Sequence, residues 1–338
     1  MTDRPAPETR AVKADPDRLL RGITVALLFV VASLFGYWYI ATRYADTDMF
    51  WHLATGRWIL QHGAIPTTDV FSWWGIANHR PWVPQGWLFD VGAWSLYSVG
   101  KYAVLYIGVG ILEGLLAVLF FTVARARGLS TLWASLLTFV SLLGTLGYIV
   151  ARPQIVTYCL VLACIVLLEK KHFFWTLPVI VLGVNIHGGM WVVYLAVYML
   201  YAWPEKWKWI AAALIAAGVN PQPIGTYAYP FMAYSNASTK QINEYAPTAL
   251  WSLGPSFLTY FVVFILVVMR RVKIPWKEAA FCLAFVVLGL TGIRHVVWMY
   301  VLVVPILAPY LVATTEALSR EAAERITCLL YTSPSPRD

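Results

Sequence analysis

The chain has 338 residues, of which 60% are apolar and only 12% are charged, and its formal net charge is +8. A soluble domain is about half apolar and about a quarter charged. The composition therefore excludes a disordered chain, a collagen-like fibre, a disulfide-stapled miniprotein and an ordinary soluble enzyme, and it predicts an all-α, polytopic helical membrane protein. The basic residues occur singly or in pairs between apolar runs, which argues against nucleic acid as a partner.

The two ends of the chain differ from the rest. Residues 1–21 are polar and proline-rich, which predicts a loose cytoplasmic tail. The following apolar run, Gly22–Ile40, is longer than the core of a cleaved signal peptide, so we expect a retained membrane helix. Residues 327–338 read TCLLYTSPSPRD, which resembles translated sequencing-adaptor read-through; the alternative is a natural Ser/Pro-rich tail. We expect an artefactual tail with few contacts, and a transmembrane domain over residues 22–326.

The apolar runs predict about ten membrane spans. A bilayer core needs about 20 apolar residues per helix, and fewer where the membrane thins locally. The predicted spans cover residues 22–41, 103–123, 131–150, 153–168, 173–186, 188–203, 207–219, 249–269, 277–293 and 296–314. The spans at 173–186 and 207–219 are short, and their ends are fixed mainly by charge.

The charges between the spans predict the orientation. With the N-terminus inside, four short inside loops hold ten Lys and Arg residues, whereas the much longer outside segments hold seven. This is the positive-inside pattern. The same orientation places most of the Asp, His and Asn residues outside, so the candidate chemistry lies on one face.

The first outside segment, residues 43–102, is predicted to contain two helices that lie along the membrane surface. Residues 49–61 carry apolar side chains at helical spacing, and residues 82–97 are apolar with few charges and several tryptophans. The linker between them is rich in turn residues.

Two acids, Asp46 and Asp48, precede the first of these helices. Asp48 is suited to accept hydrogen bonds from the first backbone N–H groups of the helix, which is a capping role. Carboxylates at a membrane edge are costly, however, which favours a role in chemistry. Both roles stay open from the residues alone.

A first membrane helix followed by an acid and two surface helices resembles the GT-C glycosyltransferase superfamily. In its protein mannosyltransferase and aminoarabinose transferase branches, the acid opens a helix that ends in an apolar residue and a glycine. Asp48 matches that acid better than Asp46, because Leu60 and Gly63 follow it at similar spacing. Met49 stands where many members carry a second acid, so the resemblance leaves open whether Asp46 and Asp48 hold a divalent cation.

The pattern D-x-D-x-x-W-H-L-x-T-G-x-W-I-L-x-x-G-x-I-P-x-T-D-x-F-S covers residues 46–72. It resembles a bacterial group of multi-spanning proteins described as glycosyltransferases, and the resemblance implies a bacterial cytoplasmic (inner) membrane. The segments around residues 152–154, 185–189, 220–221 and 294–295 also resemble that group. The resemblance further implies a polyprenyl-phosphate-linked sugar as donor, and a glycan, lipid or protein as acceptor.

Further outside residues complete the predicted site. Arginine is suited to bidentate phosphate contacts. The alternative is that an arginine at the membrane interface only extends its charged group into the water. The candidate ligands of the donor phosphate are Arg294, Arg152, His187 and His295. The candidate residues of the acceptor side and its loops are His52, Glu244 and Asn185.

The residues thus support two functions. In the first, Asp48 accepts the proton of an acceptor hydroxyl that attacks the anomeric carbon, assisted by Asp46, while basic residues meet the leaving lipid phosphate. In the second, the protein is a lipid or solute transporter or flippase with a polar outside vestibule, because short, glycine-interrupted helices are also typical of transporters. Glu113, in the middle of a predicted span, is either neutral between helices or part of a proton path.

The orientation can be tested by placing a cysteine at position 240 in the second outside segment. We expect Lys240→Cys to react with a membrane-impermeant maleimide added from outside intact cells, because the charge pattern places residues 220–248 there. Labelling only after the cytoplasmic side is opened would contradict this orientation.

Overall fold

The computed structural model describes residues 16–43, 46–83, 85–235, 241–248 and 273–332, and the regular structure of these residues is helical. Their α-helices are α1 Pro16–Ala41, α2 Asp48–His62, α3 Trp73–Ala77, α4 Trp87–Ala126, α5 Thr131–Thr145, α6 Pro153–Glu169, α7 Phe173–Ile186, α8 Trp191–Ala202, α9 Trp207–Ala217, α10 Pro223–Ser235, α11 Trp276–Thr291 and α12 Val304–Thr332. Short 3₁₀ turns occur at Leu146–Tyr148, Gly188–Met190, Asn243–Tyr245 and Ile293–His295, and a π-helical segment at Met299–Val303 leads into α12. Across the described ranges, β pairing is limited to one isolated bridge between Thr68 and Pro81.

Four helices in the described part of the chain are long and apolar enough to cross a membrane. They cover Asp17–Ala41, Trp87–Ala126, Thr131–Tyr148 and Ile293–Glu324. The helices α6 to α9 are apolar but shorter, and the predicted span at 249–269 lies outside the described residues. The helical fold class is therefore confirmed, whereas ten spans remain a prediction.

Several boundaries differ from the sequence prediction. Helix α1 begins at Pro16, inside the predicted tail, because proline is well suited to the first turn of a helix. The second surface helix begins at Trp87 and continues into the next span as α4, broken only at Gly100–Lys101, where Lys101 has φ 53°. Helix α10 was missed, because Pro223 and Pro230 resemble loop residues. Helix α12 passes residue 326 without interruption.

Helix α1 packs on α4 through small residues. A Cβ added at Gly114 would lie 2.6 Å from the carbonyl oxygen of Phe29, and one added at Gly110 would lie 2.6 Å from that of Ser33. Only glycine allows this approach, which is the small-residue packing typical of membrane helices.

Glu113 faces Gly36 in the contact between α1 and α4 and is 2% exposed. Its Oε2 has no hydrogen-bond partner among the described residues.

The segments predicted on one side of the membrane meet at one end of the bundle. One end of the bundle holds Arg127, Glu169 and Glu278, and we name it the inner end after the predicted orientation. There the Arg127 guanidinium donates to Glu169 at 2.6 Å and to Glu278 at 2.7 Å. It also donates to the Ile306 carbonyl at 3.1 Å, and Tyr201 donates to Glu169 at 2.7 Å. One largely buried arginine therefore joins α4, α6, α8, α11 and α12.

The opposite, outer end holds α2, α3, the first part of α4 and the segments around residues 152, 187, 244 and 294. Helix α2 lies directly on α4, since a Cβ at Gly56 would come within 2.9 Å of the Trp94 Cβ. Met49 and Leu53 of α2 are buried in this contact. The contact fixes the N-terminus of α2, and with it both acids, at the outer end.

We expect Arg127→Gln to lower the free energy of unfolding by about 3–5 kcal/mol, because it leaves two largely buried carboxylates without their cation. The measurement is denaturant unfolding of the purified protein in detergent. Lys277→Gln is the matched control at the same end, since its pair with Glu205 is exposed and a surface pair contributes about 0–1 kcal/mol. Equal losses in both variants would contradict the role assigned to Arg127.

Candidate functional site

Arg152 lies at the centre of the outer end. It precedes Pro153, the first residue of α6, and its extended backbone directs the chain into that helix. Its Nε and Nη2 donate to the two carboxylate oxygens of Asp46, the Nη2 bond being 2.7 Å long. Its Nη1 lies 3.1 Å from Asp48 Oδ2 and 3.4 Å from Glu244 Oε1. One guanidinium thus gathers three carboxylates from two segments that are far apart in sequence.

Asp46 and Asp48 have different environments. Asp46 is 13% exposed, and its Oδ1 also accepts the backbone N–H of Asp48 at 3.1 Å, so Asp46 provides the hydrogen bond at the start of α2. Burial alone would raise the pKa of Asp46, but the hydrogen bonds and charge of Arg152 hold that pKa below its usual value. Asp48 is 54% exposed and is the first residue of α2. The capping role expected for Asp48 therefore belongs to Asp46, and Asp48 is the more accessible acid.

The immediate surroundings of Asp46 are small and partly apolar. An enclosed pocket of about 80 Å³ beside it is lined by Arg43, Met49, Tyr102 and Tyr106, among others. No group of three or more His, Cys, Asp and Glu side chains in the described ranges could hold a metal ion. A divalent cation at Asp46 and Asp48 therefore has no third ligand of these types in that part of the chain.

Arg294 differs from Arg152 in its partners. It lies in the turn Ile293–His295, and its guanidinium stacks on the Tyr245 ring at 4.4 Å from the centroid. Among the residues that the structure describes, no carboxylate forms an ion pair with it. Tyr245 directly follows Glu244, so the ring under Arg294 belongs to the chain neighbour of one carboxylate on Arg152. Arg294 therefore carries a positive charge whose anion is not supplied by the described carboxylates.

His187 lies between α7 and the following turn and is partly buried. Its Nδ1 lies 3.1 Å from the Thr157 hydroxyl. Burial lowers the pKa of His187 to about 3, and the positive charge of Arg294 adds to this effect. The imidazole is therefore neutral at pH 7, and any contact it makes with a phosphate would be a hydrogen bond from a neutral ring rather than an ion pair.

The other predicted site residues have partners within the fold. His52 Nδ1 lies 2.6 Å from Asp90 Oδ1, which ties α2 to α4. The Asn185 side chain accepts from the Trp87 indole at 2.7 Å and donates to the carbonyls of Val181 and Val219, each at 2.8 Å. His295 hydrogen bonds with the hydroxyl of Tyr234. These contacts tie His52, Asn185 and His295 into the fold at the outer end, and their roles in a site stay predictions.

The pattern over residues 46–72 serves largely to shape the outer end. Gly56 allows α2 to approach α4, and Asp69 accepts hydrogen bonds from the Ser72 hydroxyl and two backbone N–H groups ahead of α3. The sequence did not indicate that Tyr245 supports Arg294. It also did not indicate a role for Tyr148, whose hydroxyl donates to the Ile293 carbonyl at 2.7 Å. No local pattern marks either tyrosine, because both contacts join distant parts of the chain.

We expect the free energy of unfolding to fall as the pH is lowered from 7 to 5, and we expect part of this loss to depend on His187. Below about pH 6.5 the unfolded chain protonates this histidine, whereas the folded protein does not until about pH 3, so falling pH favours unfolding over that window. His187→Gln should reduce the pH-dependent loss by up to about 2 kcal/mol. The measurement is thermal or denaturant unfolding in detergent at both pH values.

His62→Gln is the control, because His62 is exposed on α2 and hydrogen bonds only with the nearby Trp58 carbonyl. It should keep the pH dependence of the parent protein. The same pH dependence in His187→Gln and the parent would show that His187 is not held neutral by burial.

Comparison of the chain with protein-family models, with curated proteins and with solved structures gives no match. The contacts at the outer end therefore carry the functional interpretation.

Proposed function

We propose that the protein transfers a sugar from a polyprenyl-phosphate donor to an acceptor hydroxyl at the outer end of the bundle. The proposal rests on one observation: an accessible carboxylate, Asp48, and an arginine without a described carboxylate partner, Arg294, are linked through Arg152, Glu244 and Tyr245. A transfer that expels a phosphate needs both a proton acceptor and a cation at the leaving group.

Asp48 is the proposed general base. Its carboxylate would accept the proton of the acceptor hydroxyl as that oxygen bonds to the anomeric carbon. The bond between the anomeric carbon and the phosphate oxygen breaks in the same step, and the lipid phosphate leaves with the electron pair. Arg152 Nη1 lies 3.1 Å from Asp48 Oδ2 and so positions this carboxylate beside the guanidinium.

Arg294 is the proposed ligand of the departing phosphate. Stacking on Tyr245 orients the guanidinium without using its N–H donors, and no carboxylate of the described residues forms an ion pair with them, so they suit the oxygens of a phosphate. Arg152 is less suited to this role, because three carboxylates already surround its guanidinium. The phosphate contact proposed for Arg152 from the sequence stays a prediction, and the geometry supports a positioning role instead.

The second candidate, a lipid or solute transporter, is favoured by Glu113. This carboxyl is buried within α4 at its contact with α1, and one of its oxygens has no described partner. Ionisable groups in such places are typical of ion-coupled transport. A transporter would depend on Glu113 and tolerate Asp48→Asn, whereas a glycosyltransferase would show the opposite dependence.

We expect Asp48→Asn to lower sugar transfer by about 10²–10⁴-fold, because asparagine keeps the shape of the side chain but cannot accept the proton. The assay is transfer from radiolabelled polyprenyl-phosphate sugars in membranes that contain the purified, reconstituted protein. Glu205→Gln, an exposed acid at the inner end, is the control and should remain fully active.

Asp46→Asn is expected to reduce stability, because it weakens the double contact with Arg152. Its residual transfer per folded molecule should exceed that of Asp48→Asn. Full activity of Asp48→Asn together with an inactive, folded Asp46→Asn would reverse the assignment of the base.

A further inference from the structure

A second pocket lies at the outer end, between α2 and the first part of α4. It has a volume of about 370 Å³, which is within the range of small-molecule sites. Its walls are mainly aromatic, with Trp58 and Phe50 from α2, Phe71 from the linker, and Trp94 and Tyr97 from α4. Tyr102, Leu53 and Ala54 also line it, together with two polar side chains, Arg57 and Gln61. The pocket therefore combines flat apolar walls with a small number of hydrogen-bonding groups.

The polar groups of this pocket are available to a ligand. Arg57 is exposed, and its guanidinium lies 5.6 Å from the centroid of the Trp94 ring. Within the described ranges, no carboxylate forms an ion pair with Arg57. Gln61 is also exposed, one helical turn further along α2. An anionic or hydroxyl-rich ligand would thus meet unused donors at this position.

We propose that this pocket binds a saccharide ring, with a preference for one that carries a carboxylate. The face of a pyranose presents weakly positive C–H groups, which are attracted to the negative face of an aromatic ring, while its hydroxyls need hydrogen-bonding side chains at the edge. A lipid chain would use the aromatic walls but gain nothing from Arg57 and Gln61. The lining matches the mixed surface of a sugar better than the uniform surface of a lipid chain.

The pocket is adjacent to the candidate site. Tyr102 lines this pocket and also lines the small pocket beside Asp46. A glycan held here would extend towards Asp46 and Asp48, which suits the acceptor of the transfer reaction. This last step rests on the proposed function, whereas saccharide binding itself does not.

The test is saturation-transfer difference NMR on the full chain in lipid nanodiscs, with methyl β-glucopyranoside, methyl α-mannopyranoside and glucuronic acid as probes. We expect saturation of pyranose ring protons, strongest for glucuronic acid. Trp58→Ala should reduce binding of all three probes by about two- to tenfold, the effect of one aromatic contact. Arg57→Gln should remove the preference for glucuronic acid and leave the weaker binding of the neutral sugars.

The chain offers matched controls. Arg80 lies 5.6 Å from the centroid of the Trp74 ring, the same arrangement as Arg57 on Trp94, but neither residue lines the pocket. Arg80→Gln and Trp74→Ala should bind the probes as the parent does. Elution as a single peak in nanodiscs and an unchanged helical circular dichroism spectrum establish that each variant is folded.

Three results would overturn the proposal: no saturation transfer to any probe, equal losses in the pocket and control variants, or displacement of bound glucuronic acid by farnesol. The last would identify the pocket as a site for a lipid chain. Asp48→Asn should bind the probes normally while losing transfer. Normal probe binding in a protein that transfers no sugar would refute the proposed function and leave the saccharide site in place.

Discussion

The outer end of this protein depends on one guanidinium. Arg152 is 16% exposed, and a charge so placed is stable only with close anionic partners. Asp46, Asp48 and Glu244 supply them, which ties the entry to α2, the start of α6 and the turn Asn243–Tyr245 to one point. Arginine suits this role because its planar fork can bind one carboxylate through two atoms and still present a third nitrogen to others.

The two arginines of the outer end illustrate how position decides chemistry. Arg152 and Arg294 are the same residue type, and their sequence context gave both the same expected role. Arg152 is surrounded by carboxylates, whereas Arg294 rests on the Tyr245 ring and keeps its donors. The carboxylates show a similar division, since Asp46 is committed to Arg152 and Asp48 is half exposed. The carboxylate and the guanidinium that remain available, Asp48 and Arg294, are therefore not the members of each pair with the most contacts.

Apolar runs, helical spacing and loop charges predicted much of the fold, because each is a property of a short stretch of sequence. The apolar runs predicted α1 and α5 to α9 closely. Loop charge predicted Asp46 and Arg152 on the same face, and these two side chains are in contact, whereas the inside and outside assignment itself stays a prediction. Contacts between distant residues were not predictable. Nothing near Arg152 in sequence indicates three carboxylate partners, and nothing near Pro223 indicates that α10 forms, since tertiary contacts override the local preference of proline.

The separation of Arg152 from its partners has a consequence for biosynthesis. Asp46 precedes Arg152 by 106 residues, and Glu244 follows it by 92. At a ribosomal rate of about 5–20 residues per second, the two early acids would wait about 5–20 s for their cation, and the third acid would arrive after a similar delay. The polar cluster can therefore be completed only once residue 244 has been synthesised, when α1 to α10 exist and α11 and α12 do not.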